Sequence, residues 1–160
     1  PYEATQFAYK YLAERNVPCL IYQGRYHIFD RAPETEGILK QAKENGTGFI
    51  GFSPLAQGLL TDRYLNGIPQ DSRIAHGGHL KKEALTEITL RRISALNEVA
   101  KRRGQTLAEM ALAWILKDDM VTSVIVGVSS TAQLEKNLKA ISNTTFSSEE
   151  LQEIENICKE

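Results

Sequence analysis

Cysteine is scarce: Cys19 and Cys158 are the only two in 160 residues. They lie far apart, with no CxxC pair and no metal-ligand spacing, so neither a disulfide framework nor a metal site is expected. Both read as reduced thiols, which points to a cytoplasmic location. An excess of either charge is lacking too. Nineteen Lys plus Arg balance 20 Asp plus Glu, so nothing in the charge calls for nucleic acid as a partner. No apolar run approaches the ~20 residues that span a bilayer, so no membrane association is expected. The opening residues, Pro1-Tyr2-Glu3-Ala4, do not have the pattern of a signal peptide. There is no internal repeat and no low-complexity tract. The length suffices for one domain with a sizeable core.

The most informative stretch is Gly48-Phe49-Ile50-Gly51-Phe52-Ser53-Pro54-Leu55-Ala56-Gln57-Gly58. Its apolar start is too short for a helix and is flanked by glycine, the pattern of a buried parallel strand over 48–53. Pro54 cannot donate to a sheet ladder and ends it. Small or polar residues follow. Loops at the carboxyl ends of parallel strands are where α/β proteins bind ligands. Phe52 to Gln57 is therefore a candidate site. On the residues alone, an ordinary strand exit accounts for the stretch equally well.

The rest of the chain alternates helix and strand. Phe7, Ala8, Tyr11 and Leu12 lie on one face of a helix over 2–15, closed near Asn16. Residues 18–23 form an apolar run that ends at Gln23 and read as a strand, with a loop over 24–31. A helix is expected over 34–45 and a polar, turn-rich loop over 62–82. Long helical patterns follow over 83–103 and from the Thr106 cap, with Glu109 at the capping-box position. Residues 122–127 read as a third buried strand, followed by helices over 132–140 and 148–158, the last capped by Ser147 with Glu150. Strands alternating with helices imply parallel βαβ units. A complete parallel barrel needs eight strands, and three are legible here.

Three blocks carry a resemblance to a known family. They are Tyr22-Gln23-Gly24-Arg25-Tyr26-His27; Phe52-Ser53-Pro54-Leu55-Ala56-Gln57-Gly58-Leu59-Leu60-Thr61, continuing through Tyr64, Gly67-Ile68-Pro69 and Ser72-Arg73; and Gly127-Val128-Ser129-Ser130 with Gln133-Leu134 and Asn137. In order and spacing the chain resembles the C-terminal part of an aldo-keto reductase. The branch it resembles holds bacterial glyceraldehyde 3-phosphate reductases and potassium-channel β subunits. The resemblance implies an α/β fold, a partial (β/α)8 TIM barrel comprising strands six to eight. It implies a single domain whose N-terminal half is absent, and a full-length enzyme that uses NADPH (cofactor NADP) to reduce a small carbonyl substrate, an aldehyde or ketone. A non-catalytic, cofactor-binding interaction subunit is the alternative. In a partial barrel the outer strands, 18–23 and 122–127, would lack neighbours, so association into a homo-oligomer through those edges is expected.

Residue by residue, the resemblance places Gln23 at the nicotinamide carboxamide and Phe52 under the nicotinamide ring. Ser53, Pro54, Leu55, Ala56 and Gln57 would lie along the pyrophosphate. Arg63 and Arg73 would pair with phosphate, and Gly127, Ser129, Gln133 and Asn137 would hold the adenosine end. Two departures stand out. Asp62-Arg63 stands where glycine-lysine is common, and Lys136 where the branch usually has glutamate. The family's catalytic aspartate, tyrosine, lysine and histidine match no position here, so no catalytic residue is assigned and the chain alone is expected to be inactive. His27 reads as a hydrogen-bonded loop residue. His76 and His79 mimic a metal spacing but lack a third ligand and read as part of a flexible loop. Trp114 reads as core.

Overall fold

The computed structural model describes residues 2–70, 74–75 and 80–159. Arg73, His76 and His79 lie outside the described residues. A three-stranded parallel sheet, in the order β1-β2-β3, lies at the centre: β1 (Ile21–Arg25), β2 (Gly48–Phe52) and β3 (Ser123–Ile125). Order in space follows order in the chain. The helices are α1 (Tyr2–Ala13), α2 (Ala32–Thr35), α3 (Ile38–Glu44), α4 (Glu87–Arg102), α5 (Leu107–Ile115), α6 (Thr131–Leu138) and α7 (Ser148–Lys159), with single 3-10 turns between some of them.

Several boundaries differ from the sequence expectation, each for a physical reason. The first strand is 21–25 rather than 18–23. Pro18 has no N–H to donate, and the Cys19 carbonyl accepts the Thr47 hydroxyl at 2.6 Å instead of a ladder bond. At the other end Gly24 continues the strand because a side chain is excluded there. A Cβ at Gly24 would stand 2.8 Å from the Phe49 ring. Gln23 is thus two residues short of the strand end, not its last residue. The second strand ends at Phe52 rather than at residue 53. The third is shorter than 122–127 and is not buried: Ser123 and Ile125 are exposed.

The helix expected over 34–45 is two helices. Gly37 adopts the left-handed φ of 79° between them, which lets α3 turn Ile38, Leu39 and Ala42 into the core. Residues 83–103 form a short turn at 82–84 and then α4, capped by Thr86, whose side chain accepts the Thr89 N–H at 3.1 Å. The 62–82 segment has 3-10 turns at 62–64 and 82–84. The helix expected over 132–140 ends at Leu138, and a 3-10 turn continues to Ser142. Both capping boxes form: Thr106 with Glu109 at 2.8 and 3.2 Å, and Ser147 with Glu150 at the same distances.

The α1 face is the clearest correction. Tyr9, not Phe7 or Tyr11, is the buried residue of that helix. Phe7 and Tyr11 stack on each other at the surface, 6.1 Å between centroids, with the Arg15 guanidinium over Tyr11.

The sheet has two unlike faces. Successive side chains alternate across a strand, and parallel register puts Tyr22 beside Phe49 and Gly51 beside Val124. This face packs on the helices. Phe49 meets Tyr22 at 5.6 Å and Tyr26 at 6.2 Å, and Tyr26 meets Trp114 at 5.3 Å. Trp114 is core, as expected, and all of α5 except Ala108 is buried. The opposite face carries Ile21, Gln23, Arg25, Ile50, Phe52, Ser123 and Ile125, in rows set by the same register. Ile21 is 58% exposed and Ile125 47%.

Candidate functional site

The β2 exit is built from left-handed residues. Ser53, Ala56 and Gln57 take φ of 55°, 47° and 59°, and Gly58 takes 104°. L-residues adopt this region at a cost, so neighbouring structure must hold them there. Here the turn is fixed by backbone bonds from Ala56 to the Ser53 carbonyl (2.9 Å) and from Gly58 and Leu60 to the Leu55 carbonyl (2.8 and 3.1 Å). Thr61 closes it by donating its hydroxyl to the Gly58 carbonyl at 2.7 Å. The coil of left-handed residues presents backbone rather than side chain to the space beyond the strands.

That space is a pocket of about 330 Å³ at the carboxyl ends of β2 and β3. From β2 and its exit come Phe52, Ser53, Pro54, Leu55, Gln57 and Gly58; from the next turn Thr61, Arg63 and Tyr64; from β3 and beyond Ile125, Val126, Gly127 and Gln133. Among the described residues Arg63 is the one cation in this lining, and no carboxylate lines it. The wall is therefore flat and apolar at Phe52, polar along the backbone turn, and positive at Arg63. An elongated anion with an aromatic end suits such a wall.

Of the residues singled out by sequence, the pocket gathers Phe52, Ser53, Pro54, Leu55, Gln57, Arg63, Gly127 and Gln133. Ala56 is buried under the turn. Ser129 stands beside the pocket: its N–H and hydroxyl both reach the Gln133 Oε1, at 2.8 and 3.1 Å. Asn137 follows Gln133 by one turn on α6. It is buried, and its Nδ2 has no acceptor among the described residues. A buried amide donor without a partner is costly; Asn137 is not part of the pocket lining. Gln23 is not in the pocket. It lies on the open face of the sheet, level with Ile50. Thr61, Tyr64, Ile125 and Val126 were not among the residues expected to form the site. The signal for Thr61 is its place as the cap of the turn at Asp62; that for Ile125 is its alternation with Val124.

The loop after β1 is a packing unit. His27 and Asp30 exchange backbone bonds at 3.1 and 2.9 Å. Burial pushes the His27 imidazole down to about 4, against the nearby Asp30 carboxylate, which favours the charged form. It is the hydrogen-bonded loop residue expected, through its backbone; its Nδ1 has no partner among the described residues. The Tyr26 hydroxyl donates to Glu34 at 2.9 Å; burial and that carboxylate raise the phenol's pKa. Burial alone would raise Glu34, but hydrogen bonds from Arg31 and Tyr26 hold it below the usual carboxylate range. Arg31 also pairs with Glu155 on α7. This network ties the loop to α5 and α7 and lines no part of the pocket. Among the described residues no group of His, Cys, Asp and Glu is placed to hold a metal ion, and no helix is long and apolar enough to cross a membrane.

Over residues 3–159 the chain matches the Aldo/keto reductase family, and it belongs to that family. It is 48% identical over 157 residues to the L-glyceraldehyde 3-phosphate reductase of Escherichia coli K12, a match covering 96% of this chain and 45% of that protein. It is 36% identical over 125 residues to a probable voltage-gated potassium channel subunit beta of Arabidopsis thaliana, covering 76% of this chain and 38% of the relative. The chain thus spans about half the length, or less, of these relatives. Among solved structures, it superposes on a glycerol dehydrogenase of Gluconobacter oxydans with a TM-score of 0.71 at 23% identity, over 89% of this chain and 43% of that one. A thermostable aldo-keto reductase in complex with the inhibitor epalrestat gives 0.64 at 24%, over 91% and 42%. At that identity the likeness shows the fold.

Proposed function

We propose that this chain is the cofactor-binding part of an NADPH-dependent aldo-keto reductase that reduces a small aldehyde or ketone. Its sheet then corresponds to strands six to eight of a (β/α)8 barrel. The supporting observation is the pocket at the carboxyl ends of β2 and β3, which gathers the aromatic ring, the left-handed turn and Arg63.

The residues present fit a dinucleotide. Phe52 offers a stacking face for the nicotinamide. The turn from Ser53 to Gln57 and Arg63 suit the pyrophosphate. Gln133, Ser129 and the unpartnered Asn137 amide suit the adenosine end. Arg73 is proposed for the 2′-phosphate. Gln23 reaches the nicotinamide from the open face of the sheet. When bound, the cofactor supplies a hydride to the carbonyl carbon. The residues of this chain bind and orient it; on this reading none of the described residues is assigned to deliver the proton, and the general acid comes from outside this chain. A short sugar-phosphate aldehyde is the substrate class suggested by the Escherichia coli relative.

Titration of NADPH against the chain, followed by nicotinamide fluorescence, tests this reading. Saturable binding that is weakened by Gln133→Ala supports it; no binding by a folded chain overturns it. Arg73→Ala should weaken NADPH more than NADH, by about tenfold or more for one lost charged hydrogen bond. Equal losses would move Arg73 to the pyrophosphate. The chain alone should not oxidise NADPH with a reactive aldehyde, because general acid catalysis is worth about 10²–10⁴-fold and its donor is not here. A second reading, a cofactor-binding interaction subunit, draws on the potassium-channel relative. Aldehyde reduction by the full-length protein would exclude it.

A further inference from the structure

We infer that the groove between α4 and α7 is a second ligand site, for an oxyanion carried on a short apolar body. A pocket of about 300 Å³ lies there, on the helical side of the molecule and lined by none of the cofactor-site residues. Its walls are Ile88, Arg91, Arg92 and Ala95 from one face of α4, and Ile157 from α7. The spacing of three, four and seven places these α4 residues together.

The charges set this groove apart. Arg15, Arg25, Arg31, Arg102 and Arg103 each hold a carboxylate. Arg91 and Arg92 hold none among the described residues. The acids of α7 nearest in sequence are already engaged: Glu153 by Arg102, and Glu155 by Arg31 and Lys159. Among the described residues no acidic side chain lines the groove. The Nε of Arg92 is buried and has no acceptor among the described residues. A buried guanidinium edge without an acceptor is costly to maintain, and a bound oxyanion satisfies it with a charge-assisted bond. Arg91 beside it supplies a second fork. Three aliphatic side chains complete the lining, so the anion carries an apolar group rather than standing alone as a free inorganic ion.

The test is an NMR titration of the 160-residue chain with hexanoate, hexyl phosphate and hexanol. Saturable amide shifts at Ile88, Ala95 and Ile157 are expected with at least one of the two anions, and the tighter one identifies the oxyanion. Hexanol, of equal chain length and no charge, should bind at least about tenfold more weakly, because a hydrogen bond to a charged group is lost. Arg92→Gln should weaken the anion by a similar factor. Arg91→Gln, at an exposed position, provides the same readout if Arg92→Gln perturbs the helix. Hexanol binding as tightly as the anions, shifts that rise linearly without saturation, or unchanged affinity in a folded Arg91→Gln/Arg92→Gln double variant would each overturn the assignment.

Discussion

The two faces of one three-stranded sheet have opposite fates. The face carrying Tyr22, Phe49 and Val124 is packed by helices, with Phe49, Trp114 and Ile115 buried. The opposite face has no such cover among the described residues, although Ile21, Ile50, Phe52 and Ile125 stand on it between Gln23, Arg25 and Ser123. Hydrophobicity alone therefore does not decide burial in this chain; the neighbouring helices do.

The sharpest way to break this contrast is a matched pair of truncations followed by chemical denaturation. Phe49→Ala should cost about 3–5 kcal/mol, as for a fully buried aromatic. Ile125→Ala, half exposed on the other face, should cost less than about 1 kcal/mol. Similar costs would mean that the open face is covered in solution. Arg103→Ala comes next, at about 3 kcal/mol. Its guanidinium is nearly sealed over Phe146, bonded to Glu150 at 2.8 Å and to the Thr145 carbonyl at 2.9 Å. Its loss should free the approach to α7 on the packed side.

The packed side should also respond to acid through His27. Its folded pKa of about 4 lies below the unfolded 6.5, so the unfolded chain takes up the proton first. Stability is unaffected by this group above pH 6.5 and falls as pH drops from 6.5 to about 4, by at most about 3 kcal/mol. His27→Gln should flatten that part of the stability–pH curve; an unchanged slope would remove His27 as its source. A smaller effect, about 1–3 kcal/mol, is expected for Gly24→Ala, since the new methyl must displace the Phe49 ring. On the open side, Ile21→Lys and Ile125→Lys should leave stability nearly unchanged. They should also lower self-association in sedimentation, because a charge blunts an exposed sheet edge.

The contrast also explains what the sequence made legible. Strand order, the two capping boxes, the buried α5 and the β2 exit all follow from local rules: turn residues, spacing and caps. What was misjudged depended on partners distant in sequence. Gly24 looked like a turn because its neighbour Phe49 arrives from another strand. The α1 face was misassigned because Phe7, Tyr9 and Tyr11 are all plausible core residues, and the neighbours of Tyr9, among them Cys19, Tyr22 and Thr47, come from elsewhere in the chain. The third strand has the composition of a buried strand, yet its outer neighbour is lacking among the described residues. At the site, Phe52 to Gln57, Arg63, Gly127 and Gln133 converge because strand ends in a parallel sheet share one edge. Gln23 was placed too near that edge by a two-residue error in where the first strand ends.

The pairing of Arg31 with Glu155 joins positions 124 residues apart. On a ribosome, the loop after β1 leaves the exit tunnel long before the last helix is synthesised. Tyr26 and Trp114 belong to the same cluster, so the aromatic centre stays incomplete until α5 has emerged. Closing such distant contacts is slow, and it leaves apolar strands uncovered while the chain waits. The pairing with Arg31 therefore cannot form before α7 has emerged. A ribosome stalled before residue 148 should hold a nascent chain that is readily cleaved by protease around residues 18–31, whereas a nascent chain with α7 outside the tunnel should protect that segment.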